Sequence, residues 1–371
     1  MISRREFCRL SGQFLIGVTT APLLPNLLYA QSNYPYIRDA KYFKKLDNKR
    51  VQCSLCPRQC VITTGNRGFC GVRENQSGNL KTLIYGRLTS VNNDPIEKKP
   101  LFHFLPGTTA LSVSTSGCNL RCKFCQNWTL SQSKPEELNF SYFAPEELVG
   151  TARKNAIPTI AYTYNEPTIF TEYILDTAAY GRELGVRNVS ISAGYIAKQP
   201  LHDLCKVLDA IKIDFKAYSE SFYKNVVFGT LNPVLDTLVE IKSQGIWLEM
   251  VNLMVPTLND NPDEIKAMCK WISANLGVDV PLHFTRFHPQ YLLRNLPPTP
   301  VKTLETAYNI AHEAGLHYVY VGNVPGHSGE NTYCHHCQTE LIMRRGFYVI
   351  KNQINQGCCP KCSTAIPGIW S

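Results

Sequence analysis

The feature that most constrains the fold of this chain is a regular alternation of strands and helices between residues 109 and 322. Segments apolar enough to predict strands cover 110–115, 159–164, 186–192, 210–215, 247–255, 281–287 and 316–321. Helices are predicted between or after them over 144–155, 167–184, 198–209, 232–244, 261–276 and 299–314. Strands separated by helices of this length are typical of parallel βαβ units. The pattern therefore predicts an α/β fold with a full or partial (β/α) barrel, and an open doubly wound sheet is the alternative.

Three cysteines follow the first predicted strand in a C-x3-C-x2-C run, at Cys118, Cys122 and Cys125. Thiolates are the usual ligands of iron–sulfur clusters, and a cubane normally takes four, one for each iron. Three thiolates on one loop leave the fourth iron open to bind a reactant. A partial zinc site or three buried thiols are the alternatives, but zinc ligands usually come as repeated pairs. The run therefore favours a catalytic cluster.

Polar residues recur where the predicted strands end, as expected for a site built at the carboxyl edge of a parallel sheet. Asn165 and Glu166 follow the second strand, and Asp214 and Lys216 lie at the end of the fourth. His288 follows the sixth strand in the same way. The cysteine triplet occupies the equivalent place after the first strand. We expect these side chains to meet in one active site.

The triplet resembles the C-x3-C-x-aromatic-C signature of radical S-adenosylmethionine (SAM) enzymes, with Phe124 in the aromatic position. Segments outside the triplet resemble the AmmeMemoRadiSam-system branch, which is related to pyruvate formate-lyase activating enzymes. These segments are residues 94–101, 103–107, 125–128, 163–167 and 321–326. The resemblance extends from about residue 43 to the C-terminus. It implies a partial (β/α) barrel of the radical SAM type.

The resemblance also implies a mechanism. A 4Fe–4S cluster on Cys118, Cys122 and Cys125 would bind SAM and cleave it reductively to a 5′-deoxyadenosyl radical. That radical would abstract hydrogen from an unknown substrate or partner protein. The electron would come from a flavodoxin- or ferredoxin-like donor, and Memo-like and AMMECR-like proteins are further expected partners.

The same resemblance assigns residues to SAM. Asn165-Glu166-Pro167 stands in place of a Gly-Gly-Glu loop that meets the SAM ammonium, although Asn165 also suits an N-cap. Ser192, with its backbone, resembles part of a Thr-Asn-Gly segment. Asp214 and Lys216 resemble an Asp-Leu-Lys motif, in which Lys216 would pair with the SAM carboxylate. His288 lies on a segment that resembles a site-lining strand end.

Two further cysteine groups flank this core. Cys334, Cys337, Cys359 and Cys362 form a C-x2-C…C-x2-C set that resembles a zinc ribbon, with a rubredoxin-type iron site or a disulfide pair as alternatives. Cys53, Cys56, Cys60 and Cys70 form a C-x2-C-x3-C-x9-C set. This N-terminal set predicts zinc or a second cluster, and we favour zinc.

Bulk properties limit what else the chain does. With 371 residues and 44% hydrophobic content it is long enough for one large core with small appendages. The formal net charge is +9, but the basic residues are scattered, which argues against a nucleic-acid-binding protein. The expected organisation is a leader (1–30), an N-terminal cysteine module (31–108), a radical SAM core (109–325) and a zinc-ribbon-like module (326–371).

The leader carries Arg4-Arg5 before a short apolar stretch interrupted by Pro22 and Pro25. It resembles a Tat signal and is too short to predict an integral membrane span. Export or tethering conflicts with the cytoplasmic supply of SAM, so localisation stays open. The alternative functions for the whole chain are a glycyl-radical-enzyme activase and a non-catalytic zinc-ribbon scaffold.

Overall fold

Short antiparallel strands make up the N-terminal part of the protein, whose computed structural model describes residues 35–371. These strands are β1 (Arg38–Asp39), β2 (Phe43–Lys45), β3 (Val51–Cys53), β4 (Val61–Ile62), β5 (Arg73–Gln76), β6 (Asn79–Thr82) and β7 (Arg87–Leu88). One sheet has the order β2-β3-β4 and the other the order β1-β6-β5. The predicted leader, 1–30, lies outside the described residues.

A sheet of eight strands forms the centre of the molecule. The strands from here to the end of that sheet are β8 (Ser90–Pro95), β9 (Thr109–Ser114), β10 (Ser141–Tyr142), β11 (Thr159–Tyr162), β12 (Arg187–Ser192), β13 (Ala210–Asp214), β14 (Trp247–Met254), β15 (Leu282–Arg286) and β16 (Val319–Gly322). Their order is β16-β15-β14-β13-β12-β11-β9-β8, and β10 pairs instead with β7. All neighbours from β9 to β16 are parallel, and β8 is antiparallel to β9.

Helices connect the strands. They are α1 (Trp128–Ser131), α2 (Pro145–Lys154), α3 (Thr171–Glu183), α4 (Lys198–Cys205), α5 (Glu220–Phe222), α6 (Asn232–Ser243), α7 (Pro262–Leu276) and α8 (Val301–Glu313). The segment predicted as one helix from 167 to 184 begins with a turn of 3-10 helix, Pro167–Phe170. None of the helices in residues 35–371 is long and apolar enough to cross a membrane.

The sequence forms these elements for ordinary reasons. Every residue of β11 is buried, as are all but the first of β9 and β12, and strands covered on both faces appear as continuous apolar runs. At the start of α2, Pro145 occupies the first helical position and Glu147 accepts a hydrogen bond from the Ala144 N–H at 2.9 Å. Asn261 caps α7 by accepting from two backbone N–H groups.

The strand order decides between the two predicted architectures. From β9 to β16 the parallel strands follow their order in the chain without reversal, whereas a doubly wound sheet reverses direction at a switch point. The described sheet ends at β8 and β16, so the barrel is partial and does not close. The α/β prediction of a partial barrel is confirmed. The addition of β8, from within the expected N-terminal module, was not predicted.

The C-terminal part is a small antiparallel sheet of β17 (Thr332–Tyr333), β18 (Glu340–Arg345) and β19 (Tyr348–Asn352). It is fixed to the core by Arg344, which is buried and donates a hydrogen bond to the Phe102 carbonyl at 2.7 Å. Phe104 also forms a bridge with Ile369. The expected cysteine-bearing module is therefore joined tightly to the central fold.

Candidate functional site

A cavity of about 470 Å³ lies at the carboxyl ends of the parallel strands. It is lined by most of the residues that the sequence placed in the site, namely Cys118, Cys122, Phe124, Cys125, Asn165, Glu166, Asp214 and Lys216. Ser192 joins them indirectly through a hydrogen bond to Glu166. His288 is exposed and does not line the cavity. The cavity thus brings Asn165, Glu166, Asp214 and Lys216 together with the triplet, while Ser192 reaches it only through Glu166 and His288 lies away from it.

The loop that carries the triplet is held by backbone contacts. The N–H groups of Arg121 and Lys123 donate to the carbonyls of Val227 and Val226, at 3.1 and 2.9 Å. Phe124 is buried, and its ring lies 5.6 Å from the Lys216 ammonium and 6.0 Å from Phe222. These contacts hold the three thiols toward the cavity.

The thiols have the chemistry of cluster ligands. Burial raises the pKa of Cys122 to about 12, and burial, followed by the charge of Glu166, raises the pKa of Cys118 well above its ordinary value. Such thiols need a bound cation to ionise, which is how metals and clusters bind cysteine. Their three sulfurs do not all lie within 4.8 Å of one another, so they are not gathered as closely as the ligands of a single zinc ion. Three spread sulfur donors beside an open cavity fit a multi-iron cluster with one free iron.

Glu166 is buried and organises the loops around the cavity. Its Oε1 accepts from the Thr168 N–H, the Thr168 hydroxyl and the Ser192 hydroxyl, at 3.1, 2.7 and 2.6 Å. Its Oε2 accepts from the Ala193 N–H at 2.8 Å. A carboxylate has about four lone-pair positions, two on each oxygen. Oε2 therefore keeps acceptor capacity, and Glu166 is both a capping group for the 3-10 turn and a lining residue.

Asn165 ties two strand-end loops together. Its Nδ2 donates to the Gly117 carbonyl at 3.0 Å, and its Oδ1 accepts from the Thr115 N–H at 3.3 Å. The preceding Tyr164 adopts a left-handed conformation, with φ of 68°. A glycine in the related motif would adopt this conformation without strain. The chain therefore makes the turn despite lacking that glycine.

A buried lysine that was not predicted from the sequence, Lys212, lies beside the predicted site residues Asp214 and Lys216. Lys212 on β13 is 4% exposed and donates a short hydrogen bond to Asp214, whose other oxygen lies 3.5 Å from the Lys216 ammonium. Burial acts to raise the pKa of Asp214, but the two ammonium groups hold it below its usual value. Burial lowers the pKa of Lys212. Two cations thus share one carboxylate.

A second arrangement of the same kind lies across the cavity. Asp94 accepts from Lys98 at 2.8 Å, from Lys99 at 2.5 Å, and from the Tyr164 hydroxyl. Both lysines line the cavity, and burial lowers the pKa of Lys99 to about 8. The sequence signal was present in residues 94–101, which carried the family resemblance without a role. The cavity wall therefore carries a surplus of positive charge.

The C-terminal cysteines form a compact tetrad. The Sγ atoms of Cys334 and Cys362 lie 3.6 Å apart, as do those of Cys337 and Cys359. All four sulfurs lie within 4.8 Å of one another. A hydrogen bond with Thr364 lowers the pKa of Cys362 to about 5, which favours the thiolate that a metal needs. The tetrad has the form of a metal-binding module.

The N-terminal cysteines also meet. Cys53, Cys56, Cys60 and Cys70 line one small cavity on the far side of the triplet loop, together with Arg73 and Asn119. Their sulfurs do not form a compact group of the C-terminal kind.

Comparison with known proteins agrees with this geometry. Residues 112–272 match the model of the radical SAM superfamily. An uncharacterized protein of Methanocaldococcus jannaschii is 48% identical over 332 residues, which are 89% of this chain and 99% of that protein. A pyruvate formate-lyase-activating enzyme of Clostridium pasteurianum is 21% identical over 58% of this chain and 92% of its own length.

Among solved structures, a radical SAM methyltransferase from Sphaerobacter thermophilus aligns with a TM-score of 0.48 and 14% identity, over 61% of this chain and 71% of that one. Residues 112–272 therefore form a radical SAM domain, and the chain is similar to a pyruvate formate-lyase-activating enzyme. It also belongs to one family with the Methanocaldococcus jannaschii protein.

Proposed function

We propose that this protein is a radical SAM enzyme in which Cys118, Cys122 and Cys125 hold a 4Fe–4S cluster with one iron free for SAM. The observation that carries the proposal is the cavity itself. Three thiols of one loop open into about 470 Å³ that is also lined by an acceptor carboxylate and by lysine ammonium groups. SAM carries an ammonium and a carboxylate on one carbon of its methionine part, so the carboxylate and the ammonium groups of the cavity match these two charges.

When bound, the cluster supplies the electron that cleaves the SAM sulfonium to methionine and a 5′-deoxyadenosyl radical. The chain positions SAM for that reaction. The free acceptor position on Glu166 receives the SAM ammonium, and Lys216 pairs with the SAM carboxylate in a charge-assisted hydrogen bond. Phe124 lies against Lys216 and excludes water from that side. Asp214 keeps both Lys212 and Lys216 charged.

A 5′-deoxyadenosyl radical formed in this cavity would remove hydrogen from a substrate whose identity is open. Relation to a pyruvate formate-lyase-activating enzyme supports the second candidate, an activase that acts on a glycyl-radical partner. A non-catalytic zinc-ribbon scaffold is disfavoured because it requires neither the triplet nor a cavity of this size beside it.

We also propose partners, a metal for the C-terminal tetrad and a cellular location for this protein. Membership of the AmmeMemoRadiSam system, with Memo-like and AMMECR-like proteins, rests on the motif resemblance, as does a flavodoxin- or ferredoxin-like donor. The compact sulfur spacing supports zinc in the C-terminal tetrad. Tat-type export or tethering rests on Arg4-Arg5 and the short apolar stretch that follows them in the sequence. Fractionation of cells should place the protein at the membrane or in the periplasm, and an uncleaved protein found only in the cytoplasm would contradict this.

The test of the reaction is anaerobic. The purified chain is reconstituted with iron and sulfide, reduced and given SAM, and 5′-deoxyadenosine is measured. Cys122→Ala should reduce product by at least a hundredfold, while Cys269→Ala, which changes a buried cysteine outside all three groups, should keep it. A fully loaded wild-type protein that makes no 5′-deoxyadenosine would contradict the proposal.

A further inference from the structure

The N-terminal cysteine group is a ligand set without an assigned metal. Cys53 and Cys60 face each other across the β3–β4 hairpin, where the Cys53 N–H donates to the Cys60 carbonyl at 2.9 Å. Cys56 lies in the turn between them, and Cys70 comes just before β5. All four are free thiols that line one cavity. We call these four residues the N-terminal tetrad.

The two tetrads of this chain differ in sulfur spacing. Zinc–sulfur bonds of about 2.3 Å place the sulfurs of a tetrahedral site about 3.8 Å apart. The C-terminal tetrad meets this, with two Sγ pairs at 3.6 Å. In residues 35–371, it is the group whose ligand atoms all lie within 4.8 Å. No three sulfurs of the N-terminal tetrad satisfy that limit, and in this they resemble the triplet.

The space between these thiols agrees with the wider spacing. The cavity that they line has a volume of about 20 Å³, enough for a water-sized body. Sulfurs at zinc distances enclose no such space, because the centre of their tetrahedron lies about 2.3 Å from each. The sulfurs of the N-terminal tetrad are therefore spaced more widely than the four ligands of one zinc ion.

The wall of this cavity is mostly apolar, with one buried cation. Leu55, Ile62 and Ile169 line it together with Arg73, which is 1% exposed. The Arg73 Nη2 atom binds Glu172, but its Nε–H has no hydrogen-bond partner among the described residues. Buried polar groups are rarely left unpaired. Cluster sulfides and thiolates accept such hydrogen bonds, and these tune the cluster's reduction potential.

The N-terminal tetrad adjoins the triplet directly. A Cβ built on Gly117, the neighbour of Cys118, would lie 2.5 Å from the Cys70 carbonyl oxygen. The Arg121 guanidinium bridges the two loops by donating to the Cys118 carbonyl at 2.8 Å and to the Phe69 carbonyl at 2.7 Å. The backbones that carry the two cysteine sets are thus in contact.

We propose that the N-terminal tetrad holds a second 4Fe–4S cluster rather than zinc, and that it conducts the electron used at the SAM site. The second part rests on the proposed function. A low-potential one-electron donor protein is oxidised by one electron, the tetrad cluster is reduced and then reoxidised, and the triplet cluster receives that electron. No covalent bond forms or breaks in this transfer, and the net electron count balances at the donor.

The surface around the N-terminal tetrad suits an acidic donor. Residues 35–70 contain eight lysines and arginines and two acidic residues. Cys60 and Cys70 are half-buried, and Phe69 beside them is 37% exposed. Complementary charge steers such encounters.

The presence of a cluster in the N-terminal tetrad is tested with a variant that cannot bind the triplet cluster. A variant with Cys118, Cys122 and Cys125 all changed to alanine is reconstituted anaerobically as the full chain, and its iron, sulfide and zinc are measured. We expect half the iron and sulfide of the wild type, a reducible 4Fe–4S signal in electron paramagnetic resonance (EPR), and unchanged zinc. Absence of iron together with a second equivalent of zinc would overturn the proposal. This result does not depend on SAM cleavage.

The electron supply is tested separately with Cys60→Ala, and Cys205→Ala serves as the control because Cys205 is a buried cysteine outside the groups. With a flavodoxin as donor, Cys60→Ala should slow 5′-deoxyadenosine formation at least tenfold. With dithionite as reductant the rate should stay within twofold of wild type. Equal rates with both reductants would overturn the relay. If Cys60→Ala does not fold, the metal content of the triple variant still decides the cluster.

A wild-type protein with a loaded triplet that yields no 5′-deoxyadenosine would overturn the proposed function and the relay together. The iron content of the triple variant would then decide the second cluster by itself, so the two failures are distinguishable.

Discussion

At the scale of single residues, the least expected feature is a lysine inside the central sheet. Lys212 lies within β13, in a segment whose apolar residues predict a buried strand. The sequence therefore predicts the strand, but it indicates no role for the charge of this lysine. Burying a cation is costly unless a partner compensates it. Asp214, two residues on, is that partner.

We therefore expect Asp214→Asn to destabilise the protein by about 3 kcal/mol, because it leaves the buried Lys212 ammonium without its counter-charge. Urea unfolding of the purified protein measures this. Asp236→Asn, at an exposed position of α6, should change the free energy of unfolding by no more than about 0.5 kcal/mol. If Asp214→Asn changed the free energy of unfolding as little as Asp236→Asn, Lys212 would have to find another partner in the folded protein.

A buried histidine predicts a pH dependence. His103 donates from Nδ1 to the Pro367 carbonyl at 2.7 Å and accepts at Nε2 from the Tyr320 hydroxyl at 2.6 Å. Burial lowers its pKa to about 4, from about 6.5 in the unfolded chain. Between these values the unfolded state binds more protons, so stability falls as the pH falls.

The loss from His103 should approach about 1.4 kcal/mol for each pH unit within that window. Comparing urea unfolding of the wild type and His103→Gln at pH 7 and pH 5 isolates it, because other acid-sensitive groups are common to both proteins. The variant should be less stable at pH 7 but lose less on acidification. Parallel pH profiles would contradict a neutral, buried His103.

At the scale of elements, the parallel strands were predictable because burial on both faces leaves an uninterrupted apolar run. Strand β8 could not be predicted in this way, because Ser90–Pro95 is polar and lies at the edge of the sheet. Its pairing depends on β9, a tertiary contact that local pattern does not encode. The 3-10 turn before α3 was missed for a similar reason. Its start is fixed by Glu166, whose carboxylate also bonds to β12 and the residue after it.

One glycine joins two elements. Gly117 has φ of 87° and an added Cβ would meet the Cys70 carbonyl oxygen at 2.5 Å and a Val72 methyl at 2.6 Å. Gly117→Ala should therefore cost about 2 kcal/mol or more in unfolding free energy and reduce the iron bound on reconstitution. Gly150→Ala is the matched control.

Gly150 lies within α2 and an added Cβ there meets nothing within 4 Å. Because alanine is the better helix former, this change should stabilise the protein by up to about 1 kcal/mol. Equal and small effects of the two substitutions, by urea unfolding and iron analysis, would show that the loops separate without consequence.

At the scale of the whole molecule, the cysteine groups were readable from the sequence because short ligand spacings are fixed by local geometry. The metal that each group binds was harder to predict from the sequence, because it depends on the distances between the sulfurs in the folded chain. The N-terminal tetrad is the example: its spacing in the sequence allows zinc or a cluster, and the choice depends on distances between sulfurs that only the folded chain sets. In the same way, only the folded chain shows that Lys98 and Lys99, which both donate hydrogen bonds to Asp94, line the cavity.

The C-terminal module should stabilise the core and not only itself, because buried Arg344 binds the Phe102 carbonyl. We expect Cys337→Ala to lose one equivalent of zinc by elemental analysis and to lower the thermal unfolding midpoint of the whole protein. Cys358→Ala, which changes the neighbouring cysteine outside the tetrad, should retain both. Zinc loss without any change in core stability would contradict this coupling.

The most direct test of the central claim asks whether SAM binds the iron that the triplet leaves open. Pulsed EPR on the reduced, cluster-loaded protein, with SAM isotopically labelled at its amino nitrogen or carboxylate oxygen, measures that contact. We expect magnetic coupling between the labelled atoms and a cluster, and loss of that coupling in Cys122→Ala. A loaded wild-type protein whose clusters show no coupling to either label would contradict it.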